Sequence, residues 1–413
     1  MNASFSSGPR RTTGRGAVGL ALVLFAPALV AVDPAAAQDV TVSGQVRPRF
    51  EHRDPPQTGG DAESYTVGRT RIAARALLEK DIWGFVQLQD VRIWGEESST
   101  AGDFRADGLD LHQGFLQFGA EDAATSLRIG RFEQNYGGQR LIGALDWAQQ
   151  ARAFDGARGR LRIGDGLTVD AFAFQLSESA SIVRETEAAF SGAYAVWQMA
   201  EGRGLDLYAL WLDEEGMGGD DEVLTGGLRY VGQEEAWSYR LEGSVQTGER
   251  AGRDVRAWMA GVRAARSFDE GRHTVGLWYD HLSGGGPNEV DDKAFDTLFG
   301  TNHKFYGYAD LFLNLPVQTA GRGFRDLAVK TRWSVAPGWS LEADLHRFLV
   351  SEDQGLVDGH LGDELDLVVA HPLTPGLTLS GGVSRIWAGD ALGPVRGISG
   401  DVQFGYLMVD LVF

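Results

Sequence analysis

The chain contains no cysteine among its 413 residues. That excludes a disulfide framework, thiolate metal sites and cysteine nucleophiles. Lysine is nearly missing too. Lys80, Lys293, Lys304 and Lys330 are the whole set, so almost all of the 38 basic residues are arginine. Proline is scarce, at 12, and no low-complexity linker divides the chain. Beyond Ala31 no apolar run reaches the roughly 18 residues that a membrane helix needs. Helical spacing is also absent after residue 39, outside short stretches near 135–150 and 293–306. A formal net charge of −19 disfavours nucleic acid as a partner. Neither GxSxG nor HExxH occurs, so the common serine- and zinc-hydrolase signatures are missing.

What is present begins with an export signature. Arg10, Arg11 and Arg15 precede an apolar run ending near Ala31, and Ala35-Ala36-Ala37 offers a small-residue cleavage site. This predicts a signal peptide over residues 1–37 and a mature segment over 38–413. The run is short and holds Pro27, which argues against a membrane anchor. The GRGAVG match to a dinucleotide fingerprint falls inside this segment, has no strand before it, and is discarded.

Alternation with period two fills the remaining chain. In residues 39–51, Val40, Val42, Gly44, Val46 and Phe50 share one face, and Thr41, Ser43, Gln45, Arg47, Arg49 and Glu51 the other. Near 237–246, Trp237, Tyr239, Leu241 and Val245 oppose Arg240, Glu242, Ser244 and Gln246. Reading strands between turn signals gives eighteen, many of ten or more residues, with short joints such as GDG (164–166) alternating with long ones such as 284–322. The fold class expected is all-β: a transmembrane, up-and-down antiparallel β-barrel with short periplasmic turns and long extracellular loops. A soluble sandwich also alternates, but eighteen long strands would then require two or more linked domains. Trp83, Trp94, Trp197, Trp237, Trp333, Trp339 and Trp387 stand at strand ends, as interfacial girdles require. The final strand, GYLMVDLVF, ends on Phe413 and looks like the C-terminal signal of Gram-negative outer-membrane barrels. The expected location is therefore the Gram-negative outer membrane, with its lipid and lipopolysaccharide as partners.

Arginines recur on one strand parity. Arg47 and Arg49 do so in the first strand, Arg69, Arg71 and Arg75 in VGRTRIAAR, and Arg152, Arg158, Arg160 and Arg162 near 152–164. Facing lipid at the midplane would cost about 2–4 kcal/mol each, so they should face the lumen. A lumen rich in guanidinium groups concentrates anions. The competing reading is a closed barrel of Arg–carboxylate ladders, for which Glu51, Asp90, Asp155, Asp170, Glu242, Glu342, Asp344 and Asp366 are available.

Residues 130–162 (GRFEQNYGGQRLIGALDWAQQARAFDGARGRLR) resemble the alginate-export family of outer-membrane porins, and so do residues 295–312 (FDTLFGTNHKFYGYADLF). The resemblance implies an eighteen-stranded barrel that passes a polyuronate through an arginine-rich constriction, with Arg131, Arg140 and Arg152 as constriction or segment-anchoring residues. From the residues themselves, Leu141 to Gln150 could form a helical loop turned inward, or an extracellular one. His303, Lys304 and Tyr306, with Tyr308 and Asp310, are candidates to line the mouth. The expected function is a channel for export or diffusion of an anionic, polyuronate-like saccharide; the alternative is an uptake porin for small carboxylates or acidic oligosaccharides. Periplasmic export machinery is a further partner that export admits. No catalytic group is assigned: Asp344 and His346 share a strand face, but Ser340 lies too far along it to join them. No cofactor is expected. EVDD (289–292) and GGDDE (218–222) offer carboxylates for a loop Ca²⁺ without EF-hand spacing, and solvated acidic loops are the commoner explanation.

Overall fold

The computed structural model describes residues 39–55, 60–79, 81–95, 108–120, 122–178, 187–214, 221–286 and 288–413. The expected signal segment lies outside them, as does part of the GGDDE loop. The strands are β1 (Asp39–Asp54), β2 (Glu63–Glu79), β3 (Ile82–Ile93), β4 (Leu109–Phe118), β5 (Thr125–Phe132), β6 (Phe154–Ile163), β7 (Leu167–Glu178), β8 (Glu187–Ala200) and β9 (Arg203–Glu214). They continue as β10 (Asp221–Glu234), β11 (Trp237–Arg250), β12 (Arg253–Phe268), β13 (His273–Leu282), β14 (Phe324–Ala336), β15 (Trp339–Leu349), β16 (His360–Thr374), β17 (Leu377–Ala388) and β18 (Val402–Val412). Each strand pairs antiparallel with its sequence neighbour, and β1 also pairs with β18, so the 18-stranded sheet closes on itself. All eighteen expected strands are found, with ends displaced by at most a few residues.

Closure removes the open edges that lipid cannot satisfy. At the seam Gly44 and Phe413 exchange backbone hydrogen bonds of 2.7 and 3.0 Å. The Phe413 ring lies over Gly44 so closely that a Cβ there would sit 2.5 Å from it. Glycine is what lets the terminal aromatic lie flat.

The alternation sorts the two faces as expected. Val40, Val42, Ile72, Leu241 and Val245 are exposed on the outer wall, while Arg47, Arg49, Arg69, Arg71 and Glu242 are buried inside. Trp197, Trp237, Trp333 and Trp339 are exposed toward the short-turn rim, and Trp94, Trp211, Trp258 and Trp387 toward the long-loop rim. Trp83 is a correction: it points inward and is buried, with the Arg75 guanidinium 4.2 Å above its ring.

Two long connections fold back into the barrel, residues 133–153 after β5 and 283–323 after β13. They meet in a parallel bridge, Ile142 to Phe299. Gly143 donates to the Phe299 carbonyl and Phe299 donates to the Leu141 carbonyl, both at 2.9 Å. Residues 141–150 turn inward but form no helix. Left-handed φ values at Gln139, Leu145 and Ala151 break any helical run. In the second loop Asn302–Lys304 and Val317–Thr319 each make a short 3₁₀ turn. Another short helix, α1 (Leu392–Arg396), sits between β17 and β18 and was not expected.

Candidate functional site

The inward arginines of β1 and β2 converge on the tip of the first loop. The cross-strand register sets Arg47 opposite Arg69 and Gln45 opposite Arg71, which places like charges side by side. One carboxylate offsets them: Asp146 lies 3.3 Å from Arg47, 2.9 Å from Arg69 and 3.6 Å from Arg71. Arg47 also donates to the Asp146 carbonyl and to Gln149. Arg49 donates to Glu51 and to the Trp147 carbonyl, both at 2.7 Å, and its guanidinium lies 4.1 Å over the Trp147 ring. Arg71 is completed by Gln89, His112 and Glu133. Burial raises the Asp146 pKa, but the charges of Arg69 and Arg47, with the Arg69 hydrogen bond, outweigh it and hold the carboxyl below its ordinary range.

Arg140 and Arg152 act within the loops. Arg140 is almost wholly buried; it donates to Asp280 at 2.7 Å and to the Tyr306 hydroxyl at 2.5 Å, and lies 3.9 Å over the Phe305 ring. It therefore ties the first loop to the wall and to the second loop. Arg152 donates to the Phe299 carbonyl and, at 3.3 Å, to the Gly143 carbonyl. Both residues anchor segments.

At the meeting point of the loops, Trp147 stacks on His303 with ring centroids 4.1 Å apart. Tyr308 and Tyr406 pack edge-on against Trp147. Asp310 accepts from the Trp147 indole at 2.8 Å and bonds the His303 imidazole at 2.7 Å. The second loop is fixed from β16: Glu364 accepts from the Ala309 amide at 2.8 Å and Asp366 from the Tyr308 amide at 3.4 Å. Gly307, at φ +83°, turns the chain so that both amides face these carboxylates. On the long-loop side a cavity of about 620 Å³ is lined by Arg49, Arg53, Tyr65, Trp147 and Asp310. On the short-turn side one of about 480 Å³ is lined by His303, Lys304, Tyr308, Lys330 and Arg332. The stacked rings stand between them.

The sequence-derived residues fall into three groups. Arg47, Arg49, Arg69 and Arg71 gather at the clamp. Arg75, Arg158 and Arg160 face the interior elsewhere, Arg160 holding Asp170 in a two-point pair at 2.7 and 2.8 Å. Arg131 is a correction. It shares the outward parity of Leu127 and Ile129 and pairs with Asp155 at 2.6 Å on the outer wall, near the long-loop rim. The mouth assignment is corrected too. His303 and Tyr306 are buried in the middle of the barrel, and Lys304 faces the inner cavity, where burial lowers its pKa. The Asp344–His346 pair does not form: Asp344 holds Lys330 at 2.8 Å, and His346 bonds Asp326 at 3.0 Å on the neighbouring strand. In the EVDD segment, Asp292 pairs with Arg250 at 3.0 Å and Asp291 with Arg256 at 3.3 Å.

Sequence reasoning passed over Trp147, Asp146, Arg229 of β10 and Arg263 of β12, and placed Arg240 of β11 on the polar face without assigning it to the lumen set. Arg229, Arg240 and Arg263 all lie on inward parity, opposite outward Leu228, Leu241 and Val262, so parity could have found them. The loop residues carried no such signal.

A family model described as alginate export matches residues 38–405. The chain belongs to the alginate-export family. No curated protein matches it. Among solved structures it is similar to OccAB4 of Acinetobacter baumannii (11% identity, TM-score 0.62, 92% of this chain and 100% of that one). It is also similar to OccK3 (OpdO) of Pseudomonas aeruginosa (14% identity, TM-score 0.63, 92% and 96%). A third is OpdK of the same organism with vanillate (13% identity, TM-score 0.62, 91% and 99%). At these identities the likeness is one of fold. This alginate-export family member is a Gram-negative outer-membrane barrel and a channel.

Proposed function

We propose that this channel passes anionic saccharides of the polyuronate type, without covalent chemistry. One observation carries the reading: guanidinium groups from two adjacent strands lie within 3.6 Å of a single carboxylate, that of Asp146. A site that holds a loop carboxylate in this way has the donors to hold a uronate carboxylate. Guanidinium groups present a planar fork and are lightly hydrated, so they replace part of an anion's water at modest cost. Arg75, Arg158 and Arg160 continue the inward basic surface around β2 and β6, giving a carboxylate successive partners. A passive pore has no direction of its own, so the same wall serves export or uptake.

Planar-bilayer recording with purified protein tests this. The expected result is a reversal potential favouring anions and block of the current by an oligouronate. Block only by small carboxylates such as vanillate, which OpdK holds, would assign the pore to small-acid uptake instead. A protein that inserts but never conducts would make the barrel a sealed structure.

A further inference from the structure

A second cluster of cations lies on the wall away from the Asp146 clamp. Arg229 of β10, Arg240 of β11 and Arg263 of β12 come from three consecutive strands and all point inward. Arg240 and Arg263 are direct cross-strand partners, and Trp278 of β13 is the next partner of Arg263 in the same row. The Arg263 guanidinium lies 3.7 Å over the Trp278 ring and 4.6 Å over the Phe305 ring, which fixes its plane. Like charges directly opposite each other destabilise a sheet unless something compensates them.

The compensation inside the protein is incomplete. Four guanidinium groups, those of Arg140, Arg229, Arg240 and Arg263, share three carboxylates. Asp206 accepts from Arg229 at 2.5 Å and from Tyr194 at 2.7 Å. Asp280 is held by Arg140 at 2.7 Å and lies 3.5 Å from Arg263. Glu242 lies 3.7 Å from Arg140 and 3.9 Å from Arg240. Nη2 of Arg240 and Nε of Arg229 are buried without a hydrogen-bond partner, Nη2 of Arg263 has only its 3.5 Å approach to Asp280, and Oε2 of Glu242 and Oδ1 of Asp280 are likewise unbonded. Buried charged donors left unmade are costly, and with four cations against three carboxylates the cluster carries an excess positive charge that an outside anion offsets. A cavity of about 530 Å³ opens beside them, lined by Arg229, Arg240, Arg263, Trp278, Tyr239 and Arg203. Its volume is within the range of small-ligand sites. Its lining residues Gly202, Arg203, Gln233 and Ser238 belong to the short-turn ends of β9 to β11, so the cavity faces the rim opposite the long loops.

We infer that Arg229, Arg240 and Arg263 form a second carboxylate station at the short-turn end of the pore, taking the carboxylate of a uronic acid residue on the guanidinium groups that line this cavity. This rests on the anionic-saccharide reading above. It adds a binding step at the periplasmic rim, separate from the Asp146 clamp. The Trp278 and Phe305 rings hold the guanidinium planes in place before the ligand arrives, which reduces the ordering cost of binding.

The test is side-specific block in planar bilayers with trigalacturonate. The chain has no native cysteine, so Asp165→Cys in the β6–β7 turn reports which side that rim faces through a thiol reagent. In the parent protein, trigalacturonate added to the short-turn side blocks the current. In Arg240→Gln/Arg263→Gln the half-blocking concentration from that side rises roughly tenfold, while block from the long-loop side stays within about twofold. Should that pair fail to insert, Arg240→Lys/Arg263→Lys keeps the charge but loses the fork, and the same loss is expected with anion preference retained. Unchanged short-turn block in the variants overturns this station and leaves the channel reading standing. Absence of block from either side of the parent overturns both.

Discussion

The indole of Trp147 lies flat on the imidazole of His303, with centroids 4.1 Å apart and planes 6° from parallel. The two residues come from different inward loops, and Asp310 bonds both rings. This contact separates the outer and inner cavities. Trp147→Ala should remove the stack and the Asp310 bond together and open the passage between the cavities, raising single-channel conductance roughly severalfold, while the loss of a stacked pair worth only ~0.5–1.5 kcal/mol beyond its burial leaves the barrel folded. Single-channel recording checks it. Conductance equal to the parent's would mean that ions pass by another route.

Arg131 and Arg69 make a contrasting pair. Arg131→Glu alters an exposed ion pair with Asp155 on the outer wall and should leave anion selectivity unchanged. Arg69→Glu places a carboxylate beside Asp146 inside the pore and should reverse or abolish that selectivity. Reversal potentials in a salt gradient decide between them. A selectivity change in the Arg131 variant would put that side chain inside.

Asp146 gives a pH dependence with a defined sign. Its carboxyl is held below the ordinary value of about 4, so its contribution to fixing the loop is complete above that value. The contribution is lost only as pH falls through the lower, folded-state value. Conductance should therefore stay flat from neutral pH down to about 4 and change only in stronger acid. In Asp146→Asn that acid transition should vanish, and anion preference should rise because the Arg47, Arg69 and Arg71 charges lose their partner. An acid transition that persists unchanged in the variant would assign it to another group.

The barrel wall was legible because period-two alternation runs through the strands, interrupted only locally, as at the bulge where β4 changes parity between Leu111 and Leu116. The interior was legible where parity alone was used: Arg47, Arg69, Arg71 and Arg158 all face inward. It failed where motif resemblance replaced parity. Arg131 shares the parity of Leu127 and Ile129, and that pattern already placed it outside. The loops were opaque for a different reason. Trp147 and His303 meet only because β5–β6 and β13–β14 bring distant segments together, and no local pattern encodes which side chains will stack. The expected mouth lining at Tyr306 failed in the same way, since its hydroxyl is claimed by Arg140 from the other loop.

The Ile142–Phe299 bridge joins segments rooted in different parts of the wall. A hollow cylinder in a bilayer is squeezed laterally, and an unbraced ring yields most easily by becoming oval. Here such flattening would strain the hydrogen bonds at this bridge and the Arg140–Asp280 pair. The tie that narrows the pore is thus also a strut, so a ligand that loosens it would leave the whole wall more compliant.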